Sequence, residues 1–242
     1  MPSAVLSARR VASGGLTLVS LDVEPALAQA YTAPGQYIQL ETDRGAGYFV
    51  LANDVATAPW QLLVKNAGGA AEALCTLSLG AQLAVSSPLG AGFSMDRMRG
   101  RHVVIAVVSS ALGVARSVLG ARLAERSAAA THLFLGLRAA TDLPIPDELR
   151  AWSERGLDVV LCLSRSELHL HPEVLPGARR VAGYVQLALY RALEAGDVSH
   201  GALVIAAGPH GMLTDMRDLA IVASPSSGAV LAGPRIEVLT NT

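Results

Sequence analysis

Two rhythms of apolar residues divide this chain. Through about residue 99, short runs alternate apolar with polar residues or gather β-branched ones: Leu16–Val23, Tyr37–Thr42, Tyr48–Ala52, Trp60–Lys65 and Gln82–Ser86. Turn formers separate them at Ala33-Pro34-Gly35, Asp43-Arg44-Gly45, Asn53-Asp54 and Ser87-Pro88. A period of two with such punctuation predicts strands, and several short strands in series predict a small barrel or sandwich. Ala70–Leu79 breaks the rhythm. It is rich in Ala, Glu and Leu and stops at Gly80, which predicts one helix among the strands.

The second rhythm begins near Arg101. His102–Val108 is an unbroken apolar run, as expected of a strand buried on both faces. Helical segments at Val114–Arg126, Asp147–Arg155 and Tyr184–Ala195 then alternate with strand-like ones at Thr131–Leu137, Asp158–Leu163 and Ala202–Ala206. That alternation implies a parallel sheet with helical crossovers. The expected division is therefore residues 1–99 and 100–242, with the stretch Ala223–Thr242, rich in Ser, Gly and Pro, partly irregular.

Composition narrows the functions. Hydrophobic residues make up 51% of the chain, which excludes a disordered protein. A net charge of −1 and 4% aromatics argue against a nucleic-acid partner, which needs cations for phosphates and rings for bases. Cys75 and Cys162 stand far apart with no paired spacing, so no zinc or iron–sulfur site is expected. The apolar runs are too short to cross a bilayer, and the first residues lack the apolar core of a signal peptide. The expected location is the cytoplasm, with no membrane partner.

Candidate chemistry follows from strand order. In an open parallel sheet, ligands bind beyond the carboxyl ends of the strands, where helix amino ends point. Those positions are Val108–Gly113, Gly136-Leu137-Arg138 and Ala207–Met212. Gly68-Gly69-Ala70-Ala71 opens the helix of the first half, and its glycines permit close approach of an anion. His169 and His171 have a two-residue spacing that suits a metal on an extended strand, but an exposed loop is the favoured reading. Arg138 and Arg165 are candidate partners for a nucleotide phosphate, weighed equally against ordinary surface arginines.

The motifs, taken in order, resemble a known family. Pro34-Gly35-Gln36-Tyr37-Ile38-Gln39-Leu40, then Leu63-Val64-Lys65 with Gly68-Gly69, and Ser87-Pro88-Leu89-Gly90-Ala91-Gly92-Phe93 resemble the flavin half of the ferredoxin–NADP(+) reductase superfamily. Leu163-Ser164-Arg165, Gly183-Tyr184-Val185-Gln186 and Gly208-Pro209-His210-Gly211-Met212 resemble its nucleotide half. The match is collinear from about Ser3 to Leu219.

The resemblance implies a six-stranded antiparallel β-barrel for flavin, then a Rossmann-like parallel α/β domain for nucleotide. It implies electron transfer from NAD(P)H through FAD, or FMN, to a separate protein or small-molecule acceptor. The alternative is a degenerate flavin-binding, regulatory or electron-transfer subunit without efficient NAD(P)H oxidation. The implied flavin residues are Tyr48, Phe49, Val50, Leu51, Ala52, Asn53, Lys65, Gly68, Gly69 and Ala70. The implied nucleotide residues are Ser109, Ser110, Gly136, Arg138, Ser164, Arg165, Gly208, Pro209 and Met212.

Departures from the family pattern accompany the match. Gly47 stands where the family carries a phosphate-pairing arginine, and Arg44 replaces it only if its loop folds back. Ser109 and Ala111 replace two glycines of the nucleotide loop, and Ala207 replaces the cysteine beside the nicotinamide.

Overall fold

A computed structural model describes residues 1–127, 130–165, 175–199, 201–222 and 236–240. The histidine pair at 169 and 171 lies outside the described residues. Contacts divide the chain into two bodies. The first is Met1–Met95 with Ser109–Ala124, and the second is Asp96–Val108 with Glu125–Thr242.

The first body is built on an antiparallel sheet. Its strands are β1 (Ser3–Ala12), β2 (Leu16–Val23), β3 (Tyr37–Thr42), β4 (Gly45–Val50), β5 (Trp60–Lys65) and β6 (Gln82–Val85), with helices α1 (Pro25–Gln29) and α2 (Gly69–Thr76) between them. The spatial order is β4-β3-β6-β1-β2-β5. The two edges meet where the Ala52 N–H, just past β4, donates to the Gln61 carbonyl on β5 at 2.7 Å. Closing an edge in this way satisfies backbone groups that would otherwise recruit another strand.

Alternation fills the barrel interior. Leu6, Val19, Leu21, Ile38, Leu40, Leu62, Val64, Leu83 and Val85 point inward with Tyr31, Trp60 and Leu74 of α2. β1 escaped the sequence reading because only Ala4 and Leu6 of its first half are buried, while Ser7 to Val11 face outward past an irregularity between Leu6 and Ala8. Its register is fixed instead by the Gly14-Gly15 turn, where φ is +73° and +71° and only glycine is unstrained.

The second body begins within the short helix α3 (Met95–Met98). Its strands are β7 (Val103–Val108), β8 (Thr131–Leu137), β9 (Asp158–Leu163), β10 (Arg179–Ala182), β11 (Ala202–Ala207) and β12 (Ile236–Thr240). All pair in parallel in the order β10-β9-β8-β7-β11-β12. The helices that follow its strands are α5 (Pro146–Glu154), α6 (Val185–Glu194) and α7 (His210–Val222), while α4 (Leu112–Ala124), which follows β7, belongs to the first body. The continuous apolar runs sit where expected: β7 and β11 are inner strands, paired on both sides, and Val103 to Val107 and Ala202 to Ala207 are buried throughout.

The edges explain what periodicity missed. β10 reads Arg-Arg-Val-Ala and lies at the rim, so it needs no apolar run. β12 forms within the tail expected to be partly irregular, and Glu237 on it pairs with both Arg97 and Arg101. At the amino ends of the strands, Asp158 accepts a 2.8 Å hydrogen bond from His132 and pairs at 2.7 Å with Arg179, which also holds Asp197. The bond from His132, aided by Arg179 and opposed by burial, holds the Asp158 carboxyl below its ordinary range. Burial pushes the Cys162 thiol up to about 12, so it stays a neutral core side chain.

Candidate functional site

In the first body, the sequence-predicted residues converge on β4 and the start of α2. Tyr48 projects outward, 67% exposed, with its ring edge-on to Tyr37 at 5.9 Å between centroids. Phe49 packs partly against the barrel core. Leu51 and Ala52 are buried, so beyond β4 the chain offers a ligand backbone rather than side chain.

Asn53 is committed to its own turn. Its Oδ1 accepts from the Gln61 N–H at 2.9 Å, and its Nδ2 donates to the Asp54 and Thr57 carbonyls. Below that turn, the Tyr31 hydroxyl donates to the Leu51 and Asn53 carbonyls. Burial pushes that hydroxyl up to about 12, so it remains a donor at any working pH.

A second support went unread in the sequence. Arg116 on α4 donates to the Ala52 carbonyl at 3.0 Å and to Gln61 Oε1 at 2.9 Å. These bonds join residues 64 and 55 positions apart, and no local signal marks such a pair. Arg116 thus fixes the segment that follows β4 from its outer side.

The start of α2 has the form of an anion cradle. Gly68 and Gly69 hold φ of +85° and +55°, and no side chain caps the helix. A Cβ built on Gly68 would touch nothing within 4 Å, so the space beside it is open. The first turn of the helix carries N–H groups with no side-chain cap, and the helix dipole favours negative charge there. Lys65 is exposed just before the cradle, at the end of β5. Arg44, on the β3–β4 turn, pairs with Glu72 of α2 at 2.7 Å. A phosphate-bearing group fits this donor set.

Ser109 and Ser110 also belong to the first body and stand half-buried directly before α4. Ser109 holds φ of +54°, a glycine's conformation carried with a Cβ. Left-handed backbone at a residue that is not glycine costs about 1–2 kcal/mol.

The second body brings the remaining predicted residues to the carboxyl ends of its strands. Arg138 and Arg165 follow β8 and β9, both exposed, with the Arg165 N–H bonded to the Arg138 carbonyl at 2.9 Å. Ser164 donates its backbone N–H and its hydroxyl to the Leu137 carbonyl, which locks the two strand ends together. Two glycines here are covered, while Gly211 has nothing within 4 Å of a Cβ position. A Cβ on Gly136 would meet Val108 Cγ1 at 2.5 Å and Val185 Cγ2 at 2.7 Å. A Cβ on Gly208 would meet Met212 Sδ at 2.8 Å and Val108 Cγ2 at 2.9 Å. Pro209 and Met212 open α7, with the Leu213 N–H bonded to the Pro209 carbonyl.

Among the described residues, no cluster of His, Cys, Asp and Glu is arranged to hold a metal. No described helix is long and apolar enough to cross a membrane.

No protein-family model matches the chain. The gamma subunit of sulfhydrogenase 2 from Pyrococcus furiosus is 28% identical over 120 residues, 48% of this chain and 41% of that subunit. The match thus spans less than half the length of that curated relative. Among solved structures, the cytochrome P450 reductase GcoB of Amycolatopsis superposes with a TM-score of 0.74 at 20% identity, covering 98% of this chain and 68% of that one. A ferredoxin NADP+ reductase from Neisseria gonorrhoeae, solved with bound FAD and NADP, superposes with a TM-score of 0.73 at 13% identity, covering 99% of this chain and 98% of that one.

Proposed function

Starting from a fold shared with ferredoxin–NADP(+) reductases, we propose that this chain is a flavin-dependent oxidoreductase that passes electrons from NAD(P)H through FAD, or FMN, to a separate acceptor. In this reading the flavin part is the first body and the nucleotide part the second, close to the 1–99 and 100–242 division expected from the sequence except that Ser109–Ala124 goes with the first body, and the protein works in the cytoplasm. The observation that carries the reading is the open glycine cradle at α2, beside the exposed aromatic face of β4.

When bound, the flavin supplies the exchange between two-electron nicotinamide chemistry and single-electron acceptors. The chain's own residues bind and orient. Gly69 and Ala70 would present backbone N–H groups to the flavin phosphate beside Gly68, whose own N–H donates to Asn66 Oδ1, with Lys65 adding charge. Tyr48 offers a flat apolar surface to the ring, while Asn53, Tyr31 and Arg116 hold the following segment in place. Arg138 and Arg165, whose backbones are joined by a hydrogen bond, would serve a nucleotide phosphate, with Ser164 tying the two strand ends together. A protein acceptor is favoured over a small molecule, because the sulfhydrogenase relative is one subunit of a larger assembly.

The test is an absorption spectrum of the purified protein, followed by anaerobic titration with NADH and NADPH. A yellow protein that bleaches with either nucleotide is the expected result. A colourless protein that takes up no added flavin overturns the reading.

One observation favours the second reading, a flavin-binding or electron-transfer subunit without efficient NAD(P)H oxidation. Val108, Val185 and Met212 cover Gly136 and Gly208, and Ser109 puts a Cβ where the family loop has none. That reading expects retained flavin with no reduction by either nucleotide in a stopped-flow experiment.

A further inference from the structure

We propose that α4 carries the state of the nucleotide loop to the flavin segment after β4, and that Arg116 is the positioning residue through which it does so. The inference rests on the flavin and nucleotide reading above and adds a regulation of the first site by the second.

One face of α4 is given over to the segment that follows β4. Gly113, Arg116, Ser117 and Gly120 recur at the spacing that puts residues on one side of a helix. Each meets the same short stretch of barrel. A Cβ on Gly113 would lie 3.3 Å from Ala52 Cβ and 3.6 Å from Leu63 Cβ, so the start of the helix is seated there with no side chain between. Arg116 donates to the Ala52 carbonyl at 3.0 Å and to Gln61 Oε1 at 2.9 Å. The buried Ser117 hydroxyl meets the Tyr31 hydroxyl, which itself donates to the Leu51 and Asn53 carbonyls. Gly120 lies against the Asp54 carboxylate, which fills the space a Cβ would take.

The amino end of the same helix is the candidate nucleotide loop. Ser109–Ala111 makes a single tight turn directly into α4 at Leu112. Arg116 stands about 6 Å along the helix from that start, at a rise of roughly 1.5 Å per residue. Successive turns of a helix are hydrogen-bonded to one another, so a shift of the first turn moves Arg116 with it. Ser109 holds φ of +54°, and the chain passes from the second body to the first at this residue. Left-handed backbone on a residue with a Cβ persists only where its surroundings hold it, so a pyrophosphate closing on the loop resets the turn and displaces α4. Ala52 follows, because its carbonyl is held by Arg116. A flavin resting on the backbone of Leu51 and Ala52 registers the change. Arginine suits the task, since its planar fork grips two acceptors in fixed geometry where a lysine grips one.

The experiment adds ADP-ribose to the flavin-free and the FAD-loaded protein. ADP-ribose has the pyrophosphate of the nicotinamide nucleotides but no nicotinamide, so it brings no ring to cover the flavin. Calorimetry reads its affinity for the two forms, and the absorbance of bound FAD reads the surroundings of the flavin. In the wild type the two affinities are expected to differ about fivefold or more, and ADP-ribose shifts the FAD bands. In Arg116→Met the two affinities agree within about twofold and the band shift is lost, while ADP-ribose still binds the flavin-free form. Arg116→Lys and Gln61→Met, which each leave one of the two bonds in place, give intermediate ratios. Linkage requires the same ratio between the FAD affinities measured with and without ADP-ribose.

A brace that only held the fold together would lower stability and FAD affinity and leave the ratio alone. An unchanged ratio in Arg116→Met therefore overturns the inference and leaves the flavin reading standing. Equal affinities in the wild type overturn it too. Should Arg116→Met fail to fold, wild-type ratios in both Arg116→Lys and Gln61→Met overturn it, and reduced ratios support it. A wild type that takes up no flavin, or that takes up flavin but no ADP-ribose, refutes the corresponding half of the reading above and this inference with it.

Discussion

The chain has two sets of glycines at candidate ligand positions, and they are used in opposite ways. Gly68, at the start of α2, has nothing beside it; a Cβ there would stand in open space. Gly136 and Gly208, at the ends of β8 and β11, are pressed by Val108, Val185 and Met212. The first kind of glycine keeps backbone available to a ligand, and the second lets side chains close over backbone. A motif match cannot separate the two, because both read as glycine beside a helix. The lesson is that Gly68 leaves open space beside the start of α2, whereas Gly136 and Gly208 serve packing.

Exchanging alanine for these glycines breaks or sharpens the contrast. Gly136→Ala carries the largest expected effect. Its Cβ meets two valine methyls, and overpacking of this kind costs about 1–3 kcal/mol. Urea unfolding should show that loss, with flavin affinity unchanged. Gly68→Ala meets no atom but must hold φ of +85° with ψ of 179°, a region essentially reserved to glycine, which costs about 1–3 kcal/mol. Its signature is a larger proportional fall in flavin affinity than in stability, read by fluorescence titration. If instead Gly136→Ala lowers flavin affinity and Gly68→Ala does not, the contrast is wrong.

Ser109→Gly works in the opposite direction. Relief of the left-handed Cβ is offset by glycine's extra freedom when unfolded, so the net change in stability is within about 0.5 kcal/mol. Faster anaerobic reduction by NADH or NADPH in this variant would show that the Cβ itself obstructs the nucleotide.

The smallest change expected is in the shape of a pH curve. The folded Asp158 carboxyl lies below its unfolded value, so its contribution to stability is full above that value and is lost as pH falls through the lowered folded one. Asp158→Asn should flatten this acid limb in urea-unfolding measurements. Because the residue sits at the amino ends of the strands, both flavin and nucleotide responses should be untouched.

The inner strands of the parallel sheet were legible because burial on both faces demands an unbroken apolar run, as in Val103 to Val108. The barrel strands were legible where alternation was clean, as in β3. β1 and β10 were not, because arginines and serines on exposed positions mask the pattern. α7 was hidden behind the loop motif that begins it. At the site, the glycine turn before α2 could be read from the chain, since its backbone angles require the residue. Arg116 could not, because its partners Ala52 and Gln61 become neighbours only after folding. Arg44 was visible as a candidate, but whether its turn folded back needed coordinates.

Helix α4 bears on how this protein can be taken apart. Although it follows the first strand of the parallel sheet, it is grouped with the barrel, so the chain passes from one body to the other after residues 95, 108 and 124. A cut near residue 99 would strip Ala52 and Gln61 of the arginine that braces them. Domain shuffling in this protein therefore has no single breakpoint, and a transplanted first body must carry Ser109–Ala124 along with the first 95 residues.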